Sequence, residues 1–537
     1  MRVHVMSWIA LAALALATTA QAGDKKPASV RWKRTVVDTR FRAEGVAVAD
    51  VNKDGKLDIL AGDVWYEAPD WKMHRIRPGK EDYRDGDKNV YSNSFACWTE
   101  DLNGDGWADL IVIGFPGAPC YWYENPQNKD GPWKQHFICK SACNETPQYV
   151  DLFGKGKRVL VMGYEEKQMA WFAPGQDATQ PWEIHIIGGD GKKAVPGSAR
   201  FAHGLGVGDV NGDGRLDVMC TGGWWEQPAS LSAEPWRFHA VDLGPNCADM
   251  YAIDVDGDGN ADIVSSAAHD YGFWVHLQRP GKDEPAFVRQ PLFLPPSDLV
   301  KDPPGHKFTK EEQALYSAFN KARKDEQKKA PLVASAELCR MARDHAERLA
   351  QSSAKEVNIA GNYGKVVAVV SQEGEPETLA RSLLAEADKS GLAPAYEIGV
   401  GCSKGSDGKT RCTIIIGERG VFSLPSQTHA MNYVDIDGDG IKDLVTGRRW
   451  WAHGPKGDAG PNDPAYLYWF KGKRDSKGAL TFTPQLIDDD SGIGTQFAVT
   501  DVNGDGIPDV VISNKRGVFL FEQIRALVGD ALPPGRK

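Results

Sequence analysis

Short apolar runs separated by acidic turns recur along most of the chain. Gly45-Val-Ala-Val-Ala and Asp109-Leu-Ile-Val-Ile are two of these runs, and their β-branched content predicts strands. They flank a turn of the form D-x-N-x-D-G-x-x-D, clearest at Asp209–Asp217. The turn recurs at Asp50–Asp58, Asp101–Asp109, Asp254–Asp262, Asp435–Asp443 and Asp501–Asp509, with an eroded copy from Asp151. A second pattern follows each turn. An aromatic stretch (Trp65-Tyr-Glu, Tyr121-Trp-Tyr-Glu, Trp171-Phe, Trp224-Trp-Glu) precedes a W-x-x-H string at Trp71–Ile76, Trp133–Ile138, Trp182–Ile187 and Trp236–Val241. One unit therefore holds four strands: a leads into the acidic turn, b leaves it, c is aromatic and d carries W-x-x-H. Four-stranded units of about 50 residues stack as propeller blades.

The turns count seven blades, a mainly β fold. Trp32-Lys-Arg-Thr-Val-Val37 matches strand d but lacks a preceding a, b and c, whereas the last unit ends near Val518-Phe-Leu-Phe without a d. Pairing the two in one blade removes the open sheet edges. The repeat breaks after Phe287–Leu292, at Pro295-Pro296 and Pro303-Pro304, and resumes near His429. Between them the periodicity predicts helices at Phe308–Lys329, Ala334–Gln351 and Glu377–Lys389, with strands at Val366–Val370, Ile398–Val400 and Thr413–Ile416. The expected divisions are a signal segment at 1–22, blades one to five with the closing strand at 29–293, a linker and small α/β insertion between blades five and six at 294–425, blades six and seven at 426–525, and a tail at 526–537.

The acidic turns carry hard oxygen donors at fixed spacing. Position one is Asp50, Asp101, Asp209, Asp254, Asp435 or Asp501; position three is Asn52, Asn103, Asn211, Asp256, Asp437 or Asn503. Position five is Asp54, Asp105, Asp213, Asp258, Asp439 or Asp505; position nine is Asp58, Asp109, Asp217, Asp262, Asp443 or Asp509. Position seven (Lys56, Trp107, Arg215, Asn260, Ile441, Ile507) offers a backbone carbonyl, and glycine at position six permits the sharp turn. Such a set suits Ca²⁺, giving about six structural sites. An EF-hand is excluded, because position twelve is Ala61, Val112, Cys220, Ser265, Thr446 or Ile512 rather than Glu, and the flanks are strands. A plain hairpin turn is the other reading of one D-G copy; six copies at one ligand spacing favour calcium. The copy at Asp151 has Phe153, Lys155 and Lys157 at later ligand positions and is expected to be metal-free.

Charge changes this picture little. The net charge is −10, but the six intact turns hold 20 carboxylates, so the acidity is local and no nucleic-acid surface is indicated. Arg2, the apolar run Trp8–Ala17 and Ala20-Gln21-Ala22 read as a secretory signal cleaved after Ala22. The run is too short to span a bilayer, and no transmembrane segment is expected. Secretion, to an extracellular or periplasmic address, fits millimolar calcium. Of nine cysteines, Cys402 and Cys412 flank a hairpin turn suited to a disulfide; Cys97 with Cys120 and Cys220 with Cys247 are further pairings, against the alternative of buried thiols.

Propeller geometry places the acidic turns on one face, and the starts of strands a and the b–c loops on the other. Six residues before the turns lie Glu44, Phe95, Glu145, His203, Ala248, His429 and Thr495, with Asp249 and Gln496 one step later. The b–c loops add Asp63, Glu165, Glu166, His269, Asp270, Arg448, Arg449 and Lys515. His203, His429, Glu44 and Glu145 are the candidate catalytic set, able to ligate a transition metal or to act as acid and base. Trp224, Trp225, Arg448, Arg449, His269 and Asp249 are candidate ligand-binding residues, the tryptophans by stacking on sugar rings or else as core. His74, His136, His185 and His239 fall one per blade on outer strands, which argues for packing.

The turns and their flanking strands resemble the FG-GAP/VCBS repeat family of integrin-α-like propellers over about three-quarters of the chain. That family implies a calcium-bearing propeller and spans adhesion proteins, lectin-like modules and enzymes. His203-Gly-Leu-Gly-Val-Gly-Asp-Val-Asn-Gly-Asp-Gly with Gly223-Trp-Trp-Glu-Gln-Pro also resembles the propellers of aldos-2-ulose dehydratases. In the insertion, Leu315, Asn320, Arg323, Pro331-Leu332, Leu338, Ala342, His345-Ala346 and Ile398-Gly-Val-Gly401 resemble a CAP/SCP-like domain. Its usual second cavity histidine has no counterpart in Thr378-Leu-Ala-Arg-Ser-Leu-Leu, so His345 alone completes no two-histidine site. Two functions are compatible with all this: a binding or adhesion module for carbohydrate or for a cell-surface or extracellular protein, and a carbohydrate lyase or dehydratase working at the funnel.

Overall fold

The computed structural model describes residues 29–84, 91–231, 235–244, 246–269, 272–281, 284–293, 307–327, 332–334, 336–351, 365–388, 397–418, 426–450, 453–454, 457–458 and 464–526. The expected leader, the proline pairs, Asp270, Trp451 and the tail beyond Ala526 lie outside the described residues. The chain divides into two compact units. One comprises Met1–Arg31 and Ile524–Lys537, and is described only at the outer ends of the strands Ser29–Asp38 and Gly517–Ala526. The other is Trp32–Gln523.

This larger unit is mainly β. Among the described residues the acidic turns lie in seven four-stranded arrays in the order a, b, c, d. The first is Ala47–Ala49, Asp58–Ala61, Val64–Glu67 and Lys72–Arg75; the second Ala96–Glu100, Asp109–Ile113, Cys120–Glu124 and Lys134–Cys139. The third is Gln148–Val150, Val159–Tyr164, Gln168–Ala173 and Glu183–Gly188; the fourth Leu205–Gly208, Asp217–Cys220, Gly223–Glu226 and Arg237–Ala240. The fifth is Asp249–Ile253, Asp262–Ser266, Phe273–Arg279 and Ala286–Phe293, its strand a pairing in parallel with strand a of the fourth through Leu205↔Asp249. The sixth is Met431–Val434, Asp443–Gly447, Leu467–Arg474 and Leu480–Asp488. The seventh takes Ala498–Thr500, Asp509–Asn514 and Gly517–Ala526, and its d is Ser29–Asp38. The a strands of sheets one and two, three and four, four and five, five and six, six and seven, and seven and one touch.

Strand b is buried at every residue in all seven sheets, and a short apolar run rich in Val, Ile and Leu follows the buried position-nine Asp in six of them. Apolar cores lie between successive sheets: Leu60, Val112 and Tyr123 between the first two, Ile111, Leu160 and Phe172 between the next. The W-x-x-H string links sheets through its backbone. The N–H of Trp133, Trp182 and Trp236 donates to the carbonyl of Ile76, Ile138 and Ile187 of the preceding sheet at 2.8, 3.1 and 2.8 Å. Its histidine stacks on the strand-c tryptophan directly opposite: His74 on Trp65, His136 on Trp122, His185 on Trp171 and His239 on Trp224, at 4.3, 4.2, 3.7 and 4.0 Å between centroids. Glu67, Glu124 and Glu226 hold three of those imidazoles at 2.7–2.8 Å.

The inserted segment has helices α1 (Lys310–Gln327), α2 (Ala336–Gln351) and α3 (Pro376–Asp388) and a sheet ordered Val333–Ala334, Glu397–Lys404, Thr410–Glu418, Lys365–Glu373. Helix α1 starts later than the apolar pattern suggests, because Thr309 caps it: Glu312 N–H donates to Thr309 Oγ1 and Thr309 N–H to the Glu312 carboxylate. Leu315, Phe319, Leu383, Ile398 and Ile414 form its core. Cys402 and Cys412 face each other across the hairpin and are disulfide-bonded. The other two proposed pairings are corrected. Cys97 lies on strand a and Cys120 on strand c with strand b between them, so Cys120 faces Cys139 instead, and Cys220 and Cys247 remain buried thiols.

Candidate metal centre

In the six intact turns the first Asp closes the loop, accepting the position-six glycine N–H at 2.7–3.2 Å. Those glycines hold φ between +79° and +89°, a region closed to most side chains. The position-five carboxylate accepts the N–H of Lys56, Trp107, Arg215, Asn260, Ile441 and Ile507. Position nine behaves differently from the expected ligand alone. Asp58, Asp109, Asp217, Asp262, Asp443 and Asp509 are fully buried, and each carboxylate takes two backbone N–H groups, with a third from Asp256 on Asp262. One comes from the apolar position two and one from the end of strand c, as Val210 (2.9 Å) and Gln227 (2.9 Å) show on Asp217. The pattern repeats on Asp58 and Asp109 and on Asp262, Asp443 and Asp509. Burial lifts Asp58 and Asp217 to about 6 and Asp109 and Asp443 to about 7, with the amides pulling the other way.

Asp254, Asp256 and Asp262, and Asp435, Asp437 and Asp443, bring ligand oxygens within 4.8 Å of one another. One oxygen each of Asp256 and Asp437 is buried without a hydrogen-bond partner, and cationic side chains (Arg279, Lys471) reach into these two turns. That donor set fits a hard divalent cation. The turn at Asp151 keeps the loop-closing bonds from Lys155 and Gly156.

Away from the turns, the starts of strands a and the b–c loops bring three histidines together. His203 precedes strand a of sheet four, His429 precedes strand a of sheet six, and His269 follows strand b of sheet five. Their ring centroids form a triangle of 4.6, 5.0 and 5.2 Å, and one nitrogen from each falls within a 4.8 Å cluster. His203 Nε2 lies 3.2 Å from His269 Nε2. His429 Nδ1 donates to the Gln427 carbonyl at 2.8 Å, leaving Nε2 buried with no partner. Burial, then the nearby Arg449 and the two other imidazoles, hold His429 neutral, well below the usual histidine range.

A carboxylate backs the trio. Asp458 accepts from His269 Nδ1 at 3.1 Å and from His453 Nδ1 at 2.9 Å. Burial works against its ionisation, but the two histidine hydrogen bonds win and hold it below the ordinary carboxylate value. On the other flank, Glu145 accepts from Arg449 Nη1 at 2.9 Å and lies 3.6 Å from His203 Nε2. Burial raises its pKa, and Arg449 with His203 outweighs that, to about 2. Glu44 sits 3.6 Å from Arg449 Nη2 and takes Ser92 N–H at 3.1 Å; its burial leaves it raised despite Arg449. Lys515 is pulled down to about 8 by burial and by Arg449.

The expected set divides. His203, His269, His429, Glu44, Glu145 and Arg449 lie in this one network. Asp249 instead bridges strands, accepting from Gln148 Nε2 at 2.6 Å and Met431 N–H at 2.8 Å. Arg448 lies over Trp450 at 5.7 Å. Trp224 and Trp225 are buried in two inter-sheet cores, Trp224 beneath His239 and Trp225 against Phe238. His453 and Asp458 were missed because they lie well inside the long loop before Leu467, where no repeat position marks them; an H-x-x-x-x-D string was the available signal.

Residues 435–512 match the family model described as FG-GAP-like repeat. The chain is thus a mainly β protein that contains an FG-GAP-like repeat. No curated protein matches it. Among solved structures it is similar to the V. cholerae biofilm matrix protein Bap1 (14% identity, 90% of this chain and 88% of that one, TM-score 0.37). It is also similar to a Bacillus licheniformis rhamnogalacturonan lyase (12%, 91% and 75%, 0.34) and an Agrocybe aegerita lectin specific for terminal N-acetylglucosamine (17%, 50% and 67%, 0.25). At these scores the likenesses carry no argument about activity. Among the described residues no helix is long and apolar enough to cross a membrane.

Proposed function

We propose that Trp32–Gln523 is a calcium-stabilised seven-bladed propeller whose strand-start face carries a transition-metal enzyme centre, a lyase or dehydratase acting on carbohydrate. The contact of strand a of sheet seven with strand a of sheet one, and the use of Ser29–Asp38 as the missing strand d, support closure. The orphaned oxygens of Asp256 and Asp437 support calcium in the turns. We read the insertion as CAP/SCP-like; His345 there bonds to Ser371 and Thr413, as expected of a structural histidine.

The observation that carries the functional reading is the trio itself: two Nε2 atoms 3.2 Å apart beside a third, buried Nε2 that has no partner. His203 and His269 satisfy each other across that 3.2 Å contact, but the buried lone pair of His429 Nε2 has no donor, which is costly unless something fills the space beside it. Three imidazoles with an open position suit zinc, copper, iron or nickel, and such an ion, when bound, polarises a substrate oxygen. The chain's own residues supply the rest. Asp458 orients His269, and Gln427 orients His429. Glu44 and Lys515 are the nearby groups that burial moves toward neutrality, the condition for taking a proton from carbon and returning one to a leaving group. Trp224 and Trp225, which offered stacking platforms to a binding module, lie in the inter-sheet cores and support no sugar stacking.

Elemental analysis of the purified full chain tests this. About one equivalent of transition metal is expected beyond the calcium, lost in His429→Ala, with turnover of a keto-sugar or a polysaccharide by the loaded protein alone. Failure to bind zinc, copper, iron or nickel at stoichiometric concentration overturns the proposal.

A further inference from the structure

One side of the histidine trio is both aromatic and cationic. The Arg449 guanidinium lies against the rings of Tyr91 and Phe95 at 5.7 and 5.6 Å, and the Lys515 ammonium sits over Tyr91 at 4.3 Å. Tyr91 and Phe95 continue into Phe115, at 5.7 Å each, and Phe115 continues into Phe201 at 5.3 Å. This is an unbroken strip from a buried cation to an exposed ring, since Phe201 is 40% exposed and stands two residues from His203. Phe201 also holds φ near +60°, a costly conformation for an aromatic residue and one typical of functional sites. Its N–H is bonded to Cys143 O at 2.9 Å, which fixes the backbone in that state.

Arg449 is 2% exposed and Nη1 is engaged by Glu145, yet Nε has no acceptor and Nη2 has only the Glu44 carboxylate at 3.6 Å, beyond hydrogen-bond reach. Leaving guanidinium N–H groups dry and unpaired is costly. The charges facing this point are Glu145 and Asp458 against Arg449, with Glu44 and Lys515 moved by burial toward neutrality; a divalent ion added to that set leaves the site net positive. An anionic oxygen from outside would answer both the open donors and the charge.

Resting on the metal-enzyme reading, we propose that the substrate is a sugar acid. The apolar face of its ring lies on the strip ending at Phe115 and Phe201, and its carboxylate accepts the open N–H groups of Arg449. Aromatic stacking is indifferent to ring charge, so the acid group is recognised by Arg449 and the ring by Phe201.

The test uses metal-loaded full-length protein and a calorimetric or ligand-observed NMR titration with glucuronate, galacturonate and mannuronate, each beside its neutral hexose and its methyl ester. At least one acid is expected to bind about tenfold more tightly than its ester and hexose, a preference that Arg449→Lys abolishes. Phe201→Ala, a surface change that leaves metal content intact, is expected to weaken acid and hexose by similar factors. Equal binding of acid and ester, binding of none of the acids, or an unaltered affinity in Phe201→Ala overturns the sugar-acid assignment while leaving the metal centre standing. Loss of the metal centre itself is read separately, from elemental analysis of the same wild-type sample.

Discussion

The backbone carbonyl of Gln427 accepts two donors at once: Nδ1–H of His429 at 2.8 Å and the backbone N–H of Arg449 at 3.0 Å. One carbonyl thereby sets the tautomer of a buried imidazole and the position of the arginine that pairs with Glu145. Gln427 reaches this place with φ near +55°, so the local backbone is bent to serve both. The acid–arginine pair and the histidine trio are consequently one construction and not two neighbouring features.

Replacing a cluster histidine and replacing a stacked one should therefore have different signatures. His429→Ala is expected to remove the transition metal with little loss of stability in the metal-free protein. His136→Ala should keep the metal and cost about 1 kcal/mol, the worth of an aromatic stack on Trp122. Elemental analysis beside denaturant unfolding separates the two.

The two kinds of oxygen in an acidic turn should also separate. Asp217 accepts two backbone amides, so Asp217→Asn places an NH₂ against an N–H donor and should cost about 2 kcal/mol with or without calcium. Asn211→Ala removes one offered ligand and should matter mainly when calcium is present. Chelation should lower the melting temperature of the wild type and shrink the difference between wild type and Asn211→Ala. Differential scanning calorimetry in calcium and in chelator checks both.

Gly494 is packed so that a β-carbon would lie 1.8 Å from the Glu44 carbonyl oxygen and 2.3 Å from that of Ser513. Gly494→Ala must push apart the starts of the first and seventh sheets, and Glu44 with them. A loss of about 3 kcal/mol is expected in urea unfolding, together with weaker coupling of Glu44 to the metal centre.

His276 provides a pH dependence unconnected with the metal. Burial, with Arg289 adding to it, depresses its pKa from 6.5 to about 4, while Ser265 Oγ lies 3.1 Å from Nε2. The folded state keeps it neutral where the unfolded chain protonates it. Its contribution is thus fully present above pH 6.5 and falls as pH drops toward 4, by about 3 kcal/mol in all. His276→Gln should flatten that part of the stability profile measured between pH 7 and pH 4.

Much of the β organisation was legible because its causes are local. The turn glycines at Gly55, Gly106 and Gly214 need positive φ, and strand b needs apolar residues just after the turn, so both leave a periodic trace. His203 and His429 could be placed together because each occupies the same position relative to its acidic turn. His453 and Asp458 have no such trace; they meet His269 through a loop that belongs to one sheet alone. At position nine the letter D does not show that the carboxylate also holds two backbone amides. Of the two alternatives for Cys97 and Cys120, the strand that runs between them leaves the buried thiols.

Ser29–Asp38 completes a sheet whose other three strands begin at Ala498, and Lys33 meets Glu522 across 489 positions of chain. At a synthesis rate of roughly 10 residues per second, the earliest strand waits most of a minute for its partners to exist. Throughout that interval its hydrogen-bonding edge is open to any other strand, including one from a sibling chain. Productive maturation accordingly depends on keeping Ser29–Asp38 idle until Gly517–Ala526 has emerged.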